Sequence, residues 1–189
     1  MLGLTLLGTL ALAPSFAEAI TVVVRPSTAV AGSVVELNDK GGTASKVNVT
    51  PSGSSVKIGD TKGIKAPIPL ECTLSANGRS VRCTPLILVE FEGSLGGGAD
   101  QVSFAKGIKV GSELSMGTGN DTFKGTESAD EIRGGMGRDR LLGKGGPDKL
   151  LGEAGRDSLF GGDGKDFLNG GVGNDSCDGG PGHNSLRSC

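Results

Sequence analysis

The sequence has no Trp or Tyr and a single His, and aromatic residues make up only 3% of its 189 positions. Hydrophobic residues reach 35%, low for a globular protein, so a conventional thick core is poorly supplied. Nineteen basic side chains face 21 acidic ones for a formal net charge of −2, which implies no nucleic-acid or other polyionic partner. The one long apolar run, residues 2–12, is too short for a transmembrane helix, and nothing later approaches that length. No stretch of useful length repeats apolar residues at i, i+3 and i+4, which excludes amphipathic helices. There is no C-x-x-C pair, and His183 stands alone, so the four cysteines do not form a usual zinc set.

What is abundant is glycine, and it is unevenly placed: 9 of the 35 precede residue 93 and 26 lie from Gly93 onward. The chain therefore divides into two regimes behind a leader. Residues 1–19 read as an export signal: the apolar run is followed by Pro14 and the small-x-small sequence Ala17-Glu18-Ala19, although no Lys or Arg precedes it. Export agrees with four cysteines, since disulfides persist outside the reducing cytosol. Of three connectivities, spacing favours Cys72–Cys83 and Cys177–Cys189. Asn77-Gly78 suits a two-residue hairpin turn, and centring the turn there pairs Leu74 with Val81 and Cys72 with Cys83. Such a rung brings the Cα atoms to roughly 5.5 Å, within reach of a bridge.

Residues 20–94 form a β-rich region. Short β-branched runs at 20–24, 33–37, 46–50, 55–58, 71–74, 80–84 and 87–91 are mostly separated by Gly, Pro, Ser or Asn. The pattern leaves open whether they build a sandwich or the first coils of a solenoid.

From Met116 onward the rule changes. Eight nonapeptides follow without a gap: MGTGNDTFK, GTESADEIR, GGMGRDRLL, GKGGPDKLL, GEAGRDSLF, GGDGKDFLN, GGVGNDSCD and GGPGHNSLR. Their sixth position is Asp121, Asp130, Asp139, Asp148, Asp157, Asp166, Asp175 and then Asn184. Their eighth is apolar throughout: Phe123, Ile132, Leu141, Leu150, Leu159, Leu168, Cys177 and Leu186. Upstream, residues 107–115 keep the register with Ser112 and Leu114. Residues 95–103 supply Asp100 and Val102, offset by the insert Phe104-Ala105-Lys106. Each position has a physical purpose. Glycines allow positive φ in the turn and let carbonyl oxygens converge. The aspartate adds a hard charged oxygen, suited to Ca²⁺, which takes 6–8 oxygen ligands. Residues seven to nine make a strand whose middle side chain points inward.

This pattern resembles the repeats-in-toxin, or haemolysin-type calcium-binding, family over residues 95–187. The resemblance implies an all-β fold with a C-terminal right-handed parallel β-roll, in which two nonapeptides complete one turn. It implies several Ca²⁺ ions between stacked turns, held by Asp100, Asp121, Asp139, Asp157 and Asp175 on one edge. On the other edge Asp130, Asp148 and Asp166 do so, with Ser112 and Asn184 at the ends of that row. Further ligands are carbonyls around Gly117, Gly119, Gly135, Gly137, Gly155, Gly162, Gly164, Gly171 and Gly173. The first edge keeps its turn glycines better, and tighter binding is expected there. One inward Leu per nonapeptide returns much less free energy than ordering nine residues costs, so the cation is expected to be structural.

Two departures from the family stand out. The chain opens on an export-signal sequence and ends two residues after its last repeat, where family members carry an uncleaved C-terminal signal. Arg138, Arg156 and Lys165 occupy the fifth position, where Asn or Asp is common, which should leave the calcium-free form less disordered than is usual. The expected function is that of a secreted, non-enzymatic calcium-binding protein, with a cell-surface or polysaccharide partner left unidentified. The alternatives are an adhesin or toxin-like effector acting through residues 20–92, or the scaffold of a secreted hydrolase.

Overall fold

The computed structural model describes residues 20–26, 33–38, 46–52, 55–60, 64–65, 72–74, 80–83 and 88–189. The export-signal sequence and the Asn77-Gly78 turn lie outside the described residues. Among those described there is no helix, and hence none able to cross a membrane.

The strands fall into two sheets of nine. The first runs through β2 (Ser33–Asn38), β8 (Leu88–Ser94), β10 (Gly111–Thr118), β12 (Asp130–Gly137), β14 (Lys149–Gly155), β16 (Phe167–Gly173) and β18 (Ser185–Arg187). It is extended by β1 (Ile20–Pro26) and β5 (Ile64–Lys65). The second runs through β3 (Lys46–Ser52), β9 (Gln101–Phe104), β11 (Thr122–Lys124), β13 (Arg140–Gly145), β15 (Ser158–Asp163) and β17 (Ser176–Asp178). It is extended by β4 (Ser55–Asp60), β7 (Ser80–Cys83) and β6 (Cys72–Leu74). From β8 onward the chain alternates between the sheets, and every pairing in that stretch is parallel. This is a β-roll.

The register states the length of one turn. Ile132 pairs with Leu150 and Leu150 with Leu168, while Leu141 pairs with Leu159, each 18 residues on. Two nonapeptides therefore make a coil. Across the insert the step is longer, and Val102 pairs with Phe123. The seven strands anticipated between residues 20 and 91 are all present; β5, two residues long, was not foreseen. The choice between sandwich and solenoid resolves toward continuity. β2 pairs parallel with β8 and β3 parallel with β9, so both sheets of the roll carry on into the antiparallel strands. Cys72 stands opposite Cys83, as the hairpin spacing required.

Most roll strands exceed three residues because the ladder continues past position nine into the next repeat, as in β12 and β14. The core is a single file of eighth-position side chains, Leu141, Leu150, Leu159 and Leu168, all fully buried. It thickens toward residue 91, where Phe91, Phe104 and Phe123 pack edge to face with centroids 5.0 and 6.1 Å apart. At the other end Leu186 is 49% exposed, because no further coil covers it. A Cys177–Cys189 disulfide, Cα–Cα 5.6 Å, closes that end.

Candidate metal-binding edges

The turns that join the two sheets stack into two edges. Turns ending in Asp121, Asp139, Asp157 and Asp175 connect the first sheet to the second; those ending in Asp130, Asp148, Asp166 and Asn184 return the chain. The structure thus brings together the aspartates of alternate repeats and keeps neighbouring repeats apart. All the sixth-position aspartates from Asp100 to Asp166 are buried, although they sit at the margin of the roll.

One carboxylate oxygen of each has a fixed role. On the first edge Oδ1 of Asp121, Asp139, Asp157 and Asp175 accepts the backbone N–H of the preceding coil's aspartate, at 2.7–2.9 Å. On the second edge Oδ1 of Asp148 and Asp166 accepts the N–H of Asp130 and Asp148, at 2.8 and 2.9 Å. These bonds tie each coil to the next along the roll axis.

The second oxygen is different. Oδ2 of Asp121, Asp139, Asp148, Asp157, Asp166 and Asp175 is buried and accepts no hydrogen bond. An unpartnered carboxylate oxygen away from water is costly, and the titration behaviour reflects it. Burial pushes the Asp121 carboxyl up to about 6, Asp139 to about 7 and Asp148 to about 8, against the ordinary 3.8. The backbone N–H donors pull the other way, and carboxylates stacked above and below add repulsion at Asp139 and Asp148. Asp130 and Asp157 are also raised, chiefly by burial.

Glycine makes this arrangement possible in two ways. At the second and fourth positions φ is positive, as at Gly135 (107°) and Gly137 (137°). Carbonyls there aim along the axis at the next coil: those of Gly117, Gly119, Gly137, Gly155, Gly162 and Gly164 lie under 3.0 Å from where a Cβ would stand on Gly135, Gly137, Gly155, Gly173, Gly180 and Gly182. The first-position glycines have no such φ requirement. There the space of a Cβ is taken by the aspartate itself: Oδ2 of Asp139, Asp148, Asp157 and Asp166 would collide with a side chain at Gly134, Gly143, Gly152 and Gly161. Sequence reasoning gave these glycines only a turn role, although seven of the eight repeats begin with one.

The last repeat shows what the open oxygens lack. Asn184 keeps the ladder, its Oδ1 accepting the Asp166 N–H at 2.9 Å. Its Nδ2 stands against Gly179 where the aspartates place Oδ2, and it donates to the second-position carbonyl of Gly180 at 2.9 Å. With an aspartate in that place two oxygens face each other, and only a proton or a cation between them removes the repulsion. Among the described residues no three His, Cys, Asp or Glu side chains converge on one point, so a cation here takes much of its coordination from backbone carbonyls. Buried, unpartnered, hard oxygens beside carbonyls fit Ca²⁺.

The comparison with known families agrees. Residues 117–150 and 151–186 match the RTX calcium-binding nonapeptide repeat, in 4 copies. The matched segment is an array of RTX calcium-binding repeats. No curated protein and no solved structure matches the chain. With the RTX phasing fixed, Asp130 is the exception within its own edge. Its Oδ2 accepts the Thr126 N–H at 2.8 Å and its Oδ1 the Ser112 hydroxyl at 2.7 Å, so both oxygens are partnered inside the protein. Thr126 was missed by sequence reasoning, which registered only that the second edge keeps its turn glycines less well than the first.

Proposed function

We propose that this is an exported, non-catalytic calcium-binding protein in which Ca²⁺ ions between stacked coils complete and stabilise the β-roll. One observation carries the reading: six aspartates keep Oδ1 in a ladder and hold a buried Oδ2 with no donor. Asp121, Asp139, Asp157 and Asp175 would hold the ions on the first edge, and Asp148 and Asp166 on the second, with second- and fourth-position carbonyls completing each shell. Asp100 would close the first edge at its upper end. When bound, calcium supplies the positive charge that lets these carboxylates ionise while buried.

RTX repeat proteins are typically secreted, and residues 1–19 would direct export here, with residues 20–94 preceding the roll at 95–187. A Cys72–Cys83 bridge would join Cys177–Cys189 in the oxidised protein. The outward role would be structural or adhesive, toward a cell surface or polysaccharide.

The test is far-ultraviolet circular dichroism and thermal unfolding of the mature protein. Millimolar Ca²⁺ should raise the β signal and the midpoint, chelation should reverse both, and Mg²⁺ should substitute poorly because it demands a tight octahedron and keeps its waters. An unchanged spectrum and midpoint on chelation would overturn the reading.

A further inference from the structure

The second-position residue takes positive φ in seven turns of the array, at Gly117, Gly135, Gly162, Gly171 and Gly180 and even at Lys144 (81°) and Glu153 (75°). Side-chain residues adopt that conformation at a cost, so the turn demands it strongly. Thr126 is the exception. Its φ is not positive, and its N–H turns inward to Asp130 Oδ2 while its Oγ1 lies 3.4 Å from both carboxylate oxygens. Ser128 N–H in turn donates to Thr126 Oγ1 at 3.0 Å, which holds the hydroxyl in place.

The backbone follows a different course here. β13 and β15 run on through the third position of the next repeat, whereas β11 stops at Lys124, before the turn. Past this turn reaches Lys144, whose ammonium donates to the Phe104 carbonyl at 2.8 Å and so ties the coil after it to the coil before it. With Ser112 replacing an aspartate above, the stack of carboxylates on this edge ends at Asp130. Both carboxylate oxygens of Asp130 therefore have donors inside the protein, unlike those of Asp148 and Asp166.

A second observation points the same way. Of the buried apolar side chains from residue 91 onward, Phe91, Leu95, Val102, Phe104, Ile108, Leu114, Met116, Phe123 and Ile132 lie before residue 133, and only four leucines lie after it. The early coils have a core that can offset ordering by itself; the later ones have one leucine per repeat.

We infer that the turn at residues 125–130 closes on Thr126 and Ser112 without calcium, so that residues 91–133, although Asp121 on the first edge keeps an open Oδ2, hold their fold in its absence and template the calcium-dependent coils that follow. This rests on the calcium reading above, and amide hydrogen exchange of the full chain, in calcium and in chelator, separates the two. Slow exchange at residues 112–133 in both conditions, with protection at residues 149–173 lost in chelator, is the expected result. Loss of protection in both segments together overturns this inference and leaves the calcium reading standing. Protection retained throughout in chelator overturns the calcium reading and the gradation with it. Thr126→Gly should let the turn adopt the positive-φ course of its neighbours. Equilibrium dialysis should then find one additional Ca²⁺ per chain, and residues 112–133 should lose protection in chelator. An unchanged ion count together with protection kept in chelator overturns the role given to Thr126.

Discussion

Replacing Asp148 with Asn should change sign with calcium. In the calcium-free roll the Asp148 carboxyl titrates at about 8 against 3.8 in the unfolded chain, because it is buried between Asp130 and Asp166. At pH 7 it must therefore be held protonated, at a linkage cost of at most about 4 kcal/mol. An asparagine keeps Oδ1 for the Asp130 N–H, as Asn184 does for Asp166, and turns an amide N–H toward the second-position carbonyl. In chelator Asp148→Asn should stabilise the protein by some part of that 4 kcal/mol. In calcium the carboxylate should be ionised and coordinated, and the amide should forfeit the ion. At a free concentration of roughly 100 times Kd that is a loss of about 2.7 kcal/mol. Guanidinium unfolding followed by circular dichroism at pH 7, with and without calcium, reads both signs. Asp163→Asn, at an exposed turn position, is the control and should move neither curve. Destabilisation by Asp148→Asn in chelator as well as in calcium would refute the idea that this carboxylate lacks a partner without a cation.

In chelator, stability should be fully present below about pH 4 and fall as pH rises through the folded-state values of about 6, 7 and 8 at Asp121, Asp139 and Asp148, since raised carboxyls favour the fold only while protonated. Calcium affinity should rise across the same window as protons leave, which titrations between pH 5 and 9 would measure. Gly152→Ala should weaken calcium binding by displacing the Asp157 carboxylate, and its effect should be strongly sub-additive with Asp157→Ala in a double-mutant cycle. Full additivity would leave that glycine with a backbone role only. Reducing Cys177–Cys189 should speed amide exchange at residues 176–187, with up to about 3 kcal/mol of stabilisation lost from the last coil, and leave residues 112–133 unaffected.

The repeat was legible because its constraints are local and periodic. An inward side chain every nine residues, with glycine where φ must be positive, writes the coil directly into the chain, and the 18-residue step follows from two sheets sharing it. The early strands were legible from β-branched alternation, and Cys72 opposite Cys83 from a two-residue turn. What the pattern could not carry was anything set by the neighbouring coil. First-position glycine looks like turn chemistry until the aspartate five residues on is seen in its Cβ space. Lys144 reaches a carbonyl 40 residues away, across a whole coil, and no local window contains both partners.

The second edge shows how one sequence position can be satisfied in three chemically distinct ways. Asp130 receives donors from Thr126 and Ser112, Asn184 brings its own donor to Gly180, and Asp148 and Asp166 between them have neither. Both ends of that edge thus have their side-chain polar atoms partnered without an ion, and its middle does not. A cation added to the middle works between two closed ends, one beside the aromatic core and one beside the disulfide. Calcium bound there would need only to join coils whose outer neighbours are already held, which would lower the number of residues each ion must order. The first edge has no such closures from Asp121 to Asp175, so ions there would bind along an uninterrupted carboxylate stack and would have to offset more repulsion on the way. At the fifth position the first edge carries Arg138 and Arg156 and the second edge Lys165, each next in sequence to a stacked aspartate, where positive charge would reduce the same repulsion. Replacing both arginines with asparagine should therefore lower stability in chelator and leave it nearly unchanged in saturating calcium. Equal losses in the two conditions would mean that the arginines act through contacts unrelated to the carboxylates.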